Sequence, residues 1–339
     1  MKQIKDFNWK PEMSLREAVE NFSSLGYQAS ELYEASKVIL KMKREGAKIF
    51  LTFTSNMASS GLSGFFAQLC KLHVPDVLVT TSGAIEEDIM KALGEKFELR
   101  GFNADDVELH EKGENRIGNL VIKNHSYMKF EDLMSKLLKR IYDKSKRITV
   151  SELLREIGLM LEYYSDSPEG LENSILYQAA KNDIPIYCPG IADSSFGFQL
   201  FMFQQKHDDF VVDVIKDMKR TVTDLNFDDK KGLISLGGSI SKHYAIFSAL
   251  LSGGFDYSVY LTTSSSGSGS MSGATTKEAK SWGKIKDDGQ AATVKGDVTI
   301  TFPLVMSYVL DKLNEEGFIL NEPSESSEHS EETREQKND

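Results

Sequence analysis

Lys48–Leu93 reads KIFLTFTSNMASSGLSGFFAQLCKLHVPDVLVTTSGAIEEDIMKAL. Its first part, Lys48–Phe53 (KIFLTF), is a short apolar run between Gly46 and the polar Thr54-Ser55-Asn56, which marks a buried strand. Gly61–Leu72 then has helical spacing. Asp76–Thr81 (DVLVTT) is a second strand ending in Ser82-Gly83, and Ile85–Leu93 a second helix. Strand, polar loop and helix, given twice, is the pattern of a parallel sheet with helical crossovers. The fold class that follows is α/β, a mostly parallel sheet with helices on both faces.

The pattern extends in both directions. Residues 14–45 read as two amphipathic helices broken near Gly26, with Leu15, Ala18 and Val19, then Leu32, Ala35, Val38, Ile39 and Met42, on their apolar faces. Further strands are predicted at Ile184–Cys188, Leu233–Leu236, Tyr257–Thr262 and Val298–Phe302, and further helices at Lys242–Leu251 and Pro303–Leu313. Between residues 100 and 175 the chain is more helical, with Phe130–Tyr142 and Val150–Tyr164 the clearest cases. No internal repeat is visible. Residues 1–320 are expected to form a single domain. Residues 321–339, rich in Ser and Glu, cannot bury enough apolar surface to order themselves and are expected to form an acidic tail.

The 339 residues carry a net charge of −11, and removing the tail leaves an acidic body. Such a field disfavours nucleic acid and favours cationic partners, although acidity also serves solubility alone. Cys70 and Cys188 lie far apart without a ligand pattern, so neither a disulfide framework nor a metal site is expected. No apolar window approaches the roughly 18 residues of a membrane span. Met1–Met13 is charged and unlike a secretory leader. A reducing, cytoplasmic setting fits these features.

Each predicted strand ends in small or polar residues: Thr54-Ser55-Asn56, Thr81-Ser82-Gly83, Asp193, Gly237-Gly238 and Thr262-Thr263. In open parallel sheets these ends share one crevice, suited to a phosphate-bearing ligand such as a nucleotide. The same residues also serve plain strand-to-helix turns. Neither a G-x-G-x-x-G after a strand nor a phosphate-binding loop occurs.

Gly267–Lys284 (GSGSMSGATTKEAKSWGK) opens as a Gly/Ser loop and closes on Ser281-Trp282-Gly283-Lys284. A lysine desolvated there would lose its proton readily and become a nucleophile towards carbonyls and imines; a surface lysine in a linker is the other reading. His243, near a helix start after Gly237-Gly238, suits a general base or a plain capping role. Of Glu86, Glu87 and Asp88, helical geometry lets one or two reach the crevice.

Five segments together resemble the deoxyhypusine synthase family: Ile49–Leu93 (IFLTFTSNMASSG…VPDVLVTTSGAIEEDIMKAL), Asn115–Asp132 (NRIGNLVIKNHSYMKFED), Cys188–Gly197 (CPGIADSSFG), Leu236–His243 (LGGSISKH) and Glu278–Ile285 (EAKSWGKI). They occur in order, and the resemblance as a whole runs from about residue 20 to residue 312. The resemblance implies an NAD-binding α/β homotetramer with active sites shared across a subunit interface. It assigns NAD to Ser55, Asn56, Met57, Ala58, Ser59, Thr81, Ser82, Gly83, Asp193, Gly238, Thr263, Ser264, Asp297 and Val298. It assigns the polyamine to Glu86, Glu87, His243, Gly269, Ser270, Met271, Glu278, Trp282 and Lys284, with Lys284 and His243 catalytic. The implied reaction starts with hydride transfer from the carbon beside the secondary amine of spermidine to NAD. Lys284 then attacks the imine and expels 1,3-diaminopropane. A lysine of the translation initiation factor 5A precursor next displaces Lys284, and the retained hydride reduces the new imine.

Two positions depart from the family pattern. Phe198 follows Ala192–Gly197 where T-D-G-S-x-G-D ends in an acid, and Met271 replaces the acid of G-S-D-S-G. Each lost charge-assisted contact is worth about 1.5–3 kcal/mol. A homospermidine-synthase-like transfer to a small amine, and a non-catalytic NAD-binding paralogue, therefore stand as alternatives.

Overall fold

The computed structural model describes residues 3–224 and 229–318. A six-stranded sheet, parallel throughout, forms its centre: β1 (Lys48–Thr52), β2 (Val77–Val79), β3 (Ile186–Tyr187), β4 (Lys231–Leu236), β5 (Phe255–Thr262) and β6 (Ile285–Lys295). The principal helices are α1 (Leu15–Phe22), α2 (Tyr27–Arg44), α3 (Ser63–Lys71), α4 (Ser82–Ala92), α5 (Asn124–Lys144), α6 (Val150–Tyr164), α7 (Ile175–Lys181), α8 (Ser195–Gln204), α9 (Ser239–Ser248), α10 (Thr276–Ser281) and α11 (Val298–Glu315).

In space the strands run β3-β2-β1-β4-β5-β6. The chain winds outward from β1 to β3, returns to the far side of β1, and winds outward again to β6. Strand order therefore reverses between β1 and β4, whose register pairs Phe50 with Leu233. Such a reversal opens a crevice at the carboxyl ends of the two strands.

Alternation along the strands gives the sheet two buried faces. Ile49, Leu51, Ile234, Leu236, Val259 and Leu261 enter the larger core, with Val38, Ile39 and Met42 of α2 and Phe302, Val305 and Val309 of α11. Phe50, Leu233 and Tyr260 point the other way, into a smaller core with Tyr244 and Ala245 of α9 and Ala279 of α10. Helices thus cover both faces, as the sequence pattern predicts.

Five of the six expected strands form. Val298–Phe302 does not: it is the first part of α11. The run VTITF is β-branched and alternating, which favours a strand. Asp297 nevertheless caps it, accepting the Thr299 amide at 2.9 Å, and Phe302, Val305, Met306 and Val309 bury a helical stripe. The sixth strand is Ile285–Lys295 (IKDDGQAATVK), too polar to be recognised from its letters.

Helix starts also shift. The segment read as a polar loop at Ser55-Asn56 is helical from Ser55 to Met57 and continues through a wide turn, Ala58–Leu62, into α3. α9 begins at Ser239, three residues before the expected start at Lys242, and tightens into a 3₁₀ turn over Ala249–Ser252. A small antiparallel sheet (Glu98–Leu99, Glu114–Ile117, Leu120–Lys123) and a parallel pair (Arg147–Thr149 with Val211–Asp213) were not anticipated. The expected tail, 321–339, lies outside the described residues. Among the described residues no helix is long and apolar enough to cross a membrane.

Candidate active site

Two constellations lie on this scaffold. The first is the carboxyl edge of the sheet. α4 starts after Thr81 and α9 after Gly238, and neither N-cap gives a side-chain bond to its first turn. The Thr81 hydroxyl instead accepts the Ser55 amide at 3.1 Å, tying the β2 loop to the β1 loop. Ser82 Oγ donates to the carbonyls of Gly190 (3.1 Å) and Asp193 (3.0 Å), which draws in the loop after β3. Gly83 permits this closeness, since a Cβ there would lie 3.0 Å from Ser55 Cβ. Across the switch point the Gly237 amide, at φ +79°, donates to Leu261 O at 2.7 Å.

Thr263 and Ser264 follow β5, where the Ser264 amide donates to Thr262 Oγ1 at 3.0 Å. Asp297 and Val298 open α11 after β6. Every residue assigned to the cofactor therefore belongs to this one edge or the helical turn beginning on it. Met57 and Ala58 bury their side chains in the larger core. The start of α4 has no side-chain cap and leaves backbone N–H groups for a phosphate, and α9 is capped only at Ser239, by Ser272 of the neighbouring loop, so the edge fits a dinucleotide without the usual glycine fingerprint.

α4 carries three consecutive acids with different fates. Asp88 turns away from the crevice and caps α7, accepting Ser174 Oγ (2.8 Å) and the amides of Ile175 (2.8 Å) and Leu176 (2.9 Å). Glu86 accepts the Phe196 amide of α8 at 3.0 Å. One oxygen of Glu87 is buried without a hydrogen-bond partner. Burial, reinforced by the neighbouring Glu86, pushes the Glu87 carboxyl up to about 8.

The second constellation is a narrow cavity on the smaller-core face, between α9, α10 and β5. Its walls include Lys284, Trp282, Glu278, Met271, Lys242 and Tyr260. Lys284 is 5% exposed, with Nζ 5.1 Å from the Trp282 ring centroid, so it is no linker lysine. The main chain fixes it: its amide donates to Ala279 O and its carbonyl accepts from the Phe255 amide, both at 3.0 Å. His243 is exposed at the mouth of α9, and its pKa is lowered by partial burial and then by the nearby Lys284 charge.

The structure thus joins Met271, Glu278, Trp282 and Lys284 in one cavity, whose Met271 end abuts the start of α9 at Gly238 while the Lys284 main chain lies at the other edge of the sheet. Lys284 precedes β6 at its amino end, whereas the crevice caps the carboxyl ends, and no cofactor-assigned residue lines the lysine cavity. Gly269 and Ser270 lie in the exposed loop before Met271 without lining the cavity. Phe198 is exposed on α8, its ring 5.9 Å from that of Phe201. Sequence reasoning missed Lys242 and Tyr260. Lys242 stands inside LGGSISKH, one residue before the histidine singled out there.

The fold and these two constellations define a doubly wound α/β protein with a ligand crevice at its switch point and a buried, aromatic-backed lysine. The family model for deoxyhypusine synthase matches residues 17–309. The chain belongs to the deoxyhypusine synthase family, whose members are transferases. It is 38% identical over 309 residues to a protein of Thermoplasma volcanium named "Probable deoxyhypusine synthase", covering 90% of this chain and 96% of that one. A protein of the same name from Pyrococcus abyssi is 39% identical over 315 residues, covering 89% and 93%. A crystal structure of a candidate deoxyhypusine synthase from Entamoeba histolytica shares the fold at a TM-score of 0.63 and 22% identity, covering 91% of this chain and 97% of that chain.

Proposed function

We propose that the chain transfers the 4-aminobutyl group of spermidine, with NAD as cofactor, first to Lys284 and then to a lysine of the translation initiation factor 5A precursor. The observation that carries this reading is the burial of Lys284 beside Trp282 in a cavity that also includes the carboxylate residue Glu278. NAD, held by the loops and helix starts at the carboxyl edge, would take up a hydride from the polyamine and return it to the product.

The chain's own groups do the rest. The Lys284 nitrogen adds to the imine carbon of the oxidised polyamine. The bond to the departing 1,3-diaminopropane breaks, and that amine leaves with a proton. His243, largely neutral near pH 7 because its pKa is lowered, is suited to take protons from the amines involved. Glu278 pairs with an ammonium end, and the Trp282 face attracts a cation by roughly 0.5–2 kcal/mol. The cytoplasm suits a partner drawn from the translation machinery.

The Lys284 main chain lies at the amino edge of the sheet, and the active site that the family resemblance shares across a subunit interface would bring a second copy's crevice to this lysine. The homotetramer implied by the family pattern supplies it. A second reading, transfer to a small amine as in homospermidine synthesis, is favoured by Met271 in the cavity wall, where the family pattern has an acid.

Incubation with NAD and labelled spermidine, with and without the precursor, tests both. Release of 1,3-diaminopropane with label on the precursor is the expected result. Label on a small amine alone selects the second reading, and no release from any amine overturns catalysis. Lys284→Arg, which cannot become neutral in a protein, should abolish transfer while NAD binding persists. Transfer at the wild-type rate would refute Lys284 as the covalent residue.

A further inference from the structure

Lys242 lies on α9, is 2% exposed, and shares the cavity of Lys284. Burying an ammonium costs several kcal/mol unless partners compensate. Here Nζ donates to the carbonyls of Ala274 (2.9 Å) and Ser272 (3.5 Å) and stands 4.0 Å from the centroid of the Tyr260 ring. Among the described residues no carboxylate is bonded to it. Burial, and then the charge of Lys295, push it down to about 8 against the opposing pull of Glu278. The Tyr260 hydroxyl beneath it is buried without a partner.

Both carbonyls belong to the end of the Gly/Ser loop that carries Met271. The same end is pinned to the start of α9 in two further ways. The Ser239 amide donates to Ser272 Oγ at 2.9 Å. A Cβ on Gly238 would come within 2.4 Å of Ser272 Cβ, so the loop approaches a backbone that only glycine leaves open.

We propose that Lys242 is a positioning residue: its ammonium anchors the Ser272–Ala274 end of the loop to α9 and thereby sets Met271 and Glu278 around Lys284. An ammonium offers three donors and a charge, so it holds two carbonyls and an aromatic face at once. An apolar chain of similar length fills the space and holds none of them. The proposal rests on the cavity being the amine site, and one of its readouts is independent of that.

The test compares Lys242→Met and Lys242→Arg with the wild type, by hydrogen exchange of the amides of residues 270–275 and by kinetics with spermidine. In Lys242→Met the exchange of those amides and the KM for the amine should each rise about tenfold, with kcat changed far less, as loss of one charge-assisted contact predicts. Lys242→Arg, which keeps charge and donors, should recover much of both. Should Lys242→Met fail to fold, Lys242→Gln gives the same comparison. Unchanged exchange, or a fall in kcat at constant KM, overturns the proposal. Exchange that rises in a chain showing no transfer leaves the anchor standing and counts against the assigned activity instead.

Discussion

At the folded chain's Glu87 a proton stays bound at pH values where an unfolded chain would have released it. Its carboxyl is raised from 4.5 to about 8. Between those values the native state holds one proton more than the unfolded state, so this group lowers stability as pH rises through the window. Glu87→Gln imitates the protonated form at every pH. Its melting temperature should match the wild type near pH 4.5, gain on it steadily to about pH 8, and keep a constant lead above. A lead that does not vary with pH would refute the buried, protonated carboxyl.

Met271 offers a test of substrate. If spermidine occupies the Lys284 cavity, Met271→Asp adds an anion beside an ammonium and should lower the spermidine KM by about tenfold. A KM that rises would place no ammonium at that wall and favour another amine. Site residues were legible to different degrees for a physical reason. Lys284 and Trp282 stand out because S-W-G-K is a rare local string. Lys242 and Tyr260 enter the cavity only through tertiary packing, and an isolated buried lysine looks like any other lysine in sequence. The roles of Glu86, Glu87 and Asp88 were likewise hidden, since three adjacent acids on a helix diverge and only the neighbours of each decide its work.

Among elements, the strands legible in advance were those buried on both sides. β1, β2 and β4 are short apolar runs with turn residues at their ends, and nothing but a central strand suits them. Failure came at the sheet's margin. β6 has one neighbour, so it tolerates Asp287, Asp288 and Gly289, and its register against β5 shifts between Phe255 and Tyr257. The alternating VTITF nearby looked more like a strand, but a single N-cap, Asp297, and the apolar stripe beyond it settle that segment as helix. The crevice was legible without its elements being exact, because loops at the carboxyl ends converge whether or not each helix start is placed correctly.

At the scale of the molecule, the way the lysine cavity runs along the sheet is the feature with most bearing on function. The Lys284 main chain pairs beside Phe255 at the amino end of β5, about 23 Å of strand from Thr262, while the cavity it enters extends to Tyr260 and to the loop on Gly238. If two copies complete one site, Lys284→Ala and a crevice variant such as Gly83→Val should each be inactive alone, yet regain activity when their subunits are exchanged. Mixed oligomers verified by mass that remain inactive would show that a single chain must supply both halves.

Whatever assembly forms, β6 constrains its manner. An outermost strand with free amides and carbonyls tends to recruit another chain's strand and seed aggregates. This one is broken by a bulge, studded with adjacent aspartates, and tied back by Lys286 to Asp256 at 2.6 Å. Copies of the molecule would therefore meet through helical surfaces and loops, and fibre-like growth along the sheet is disfavoured at this rim.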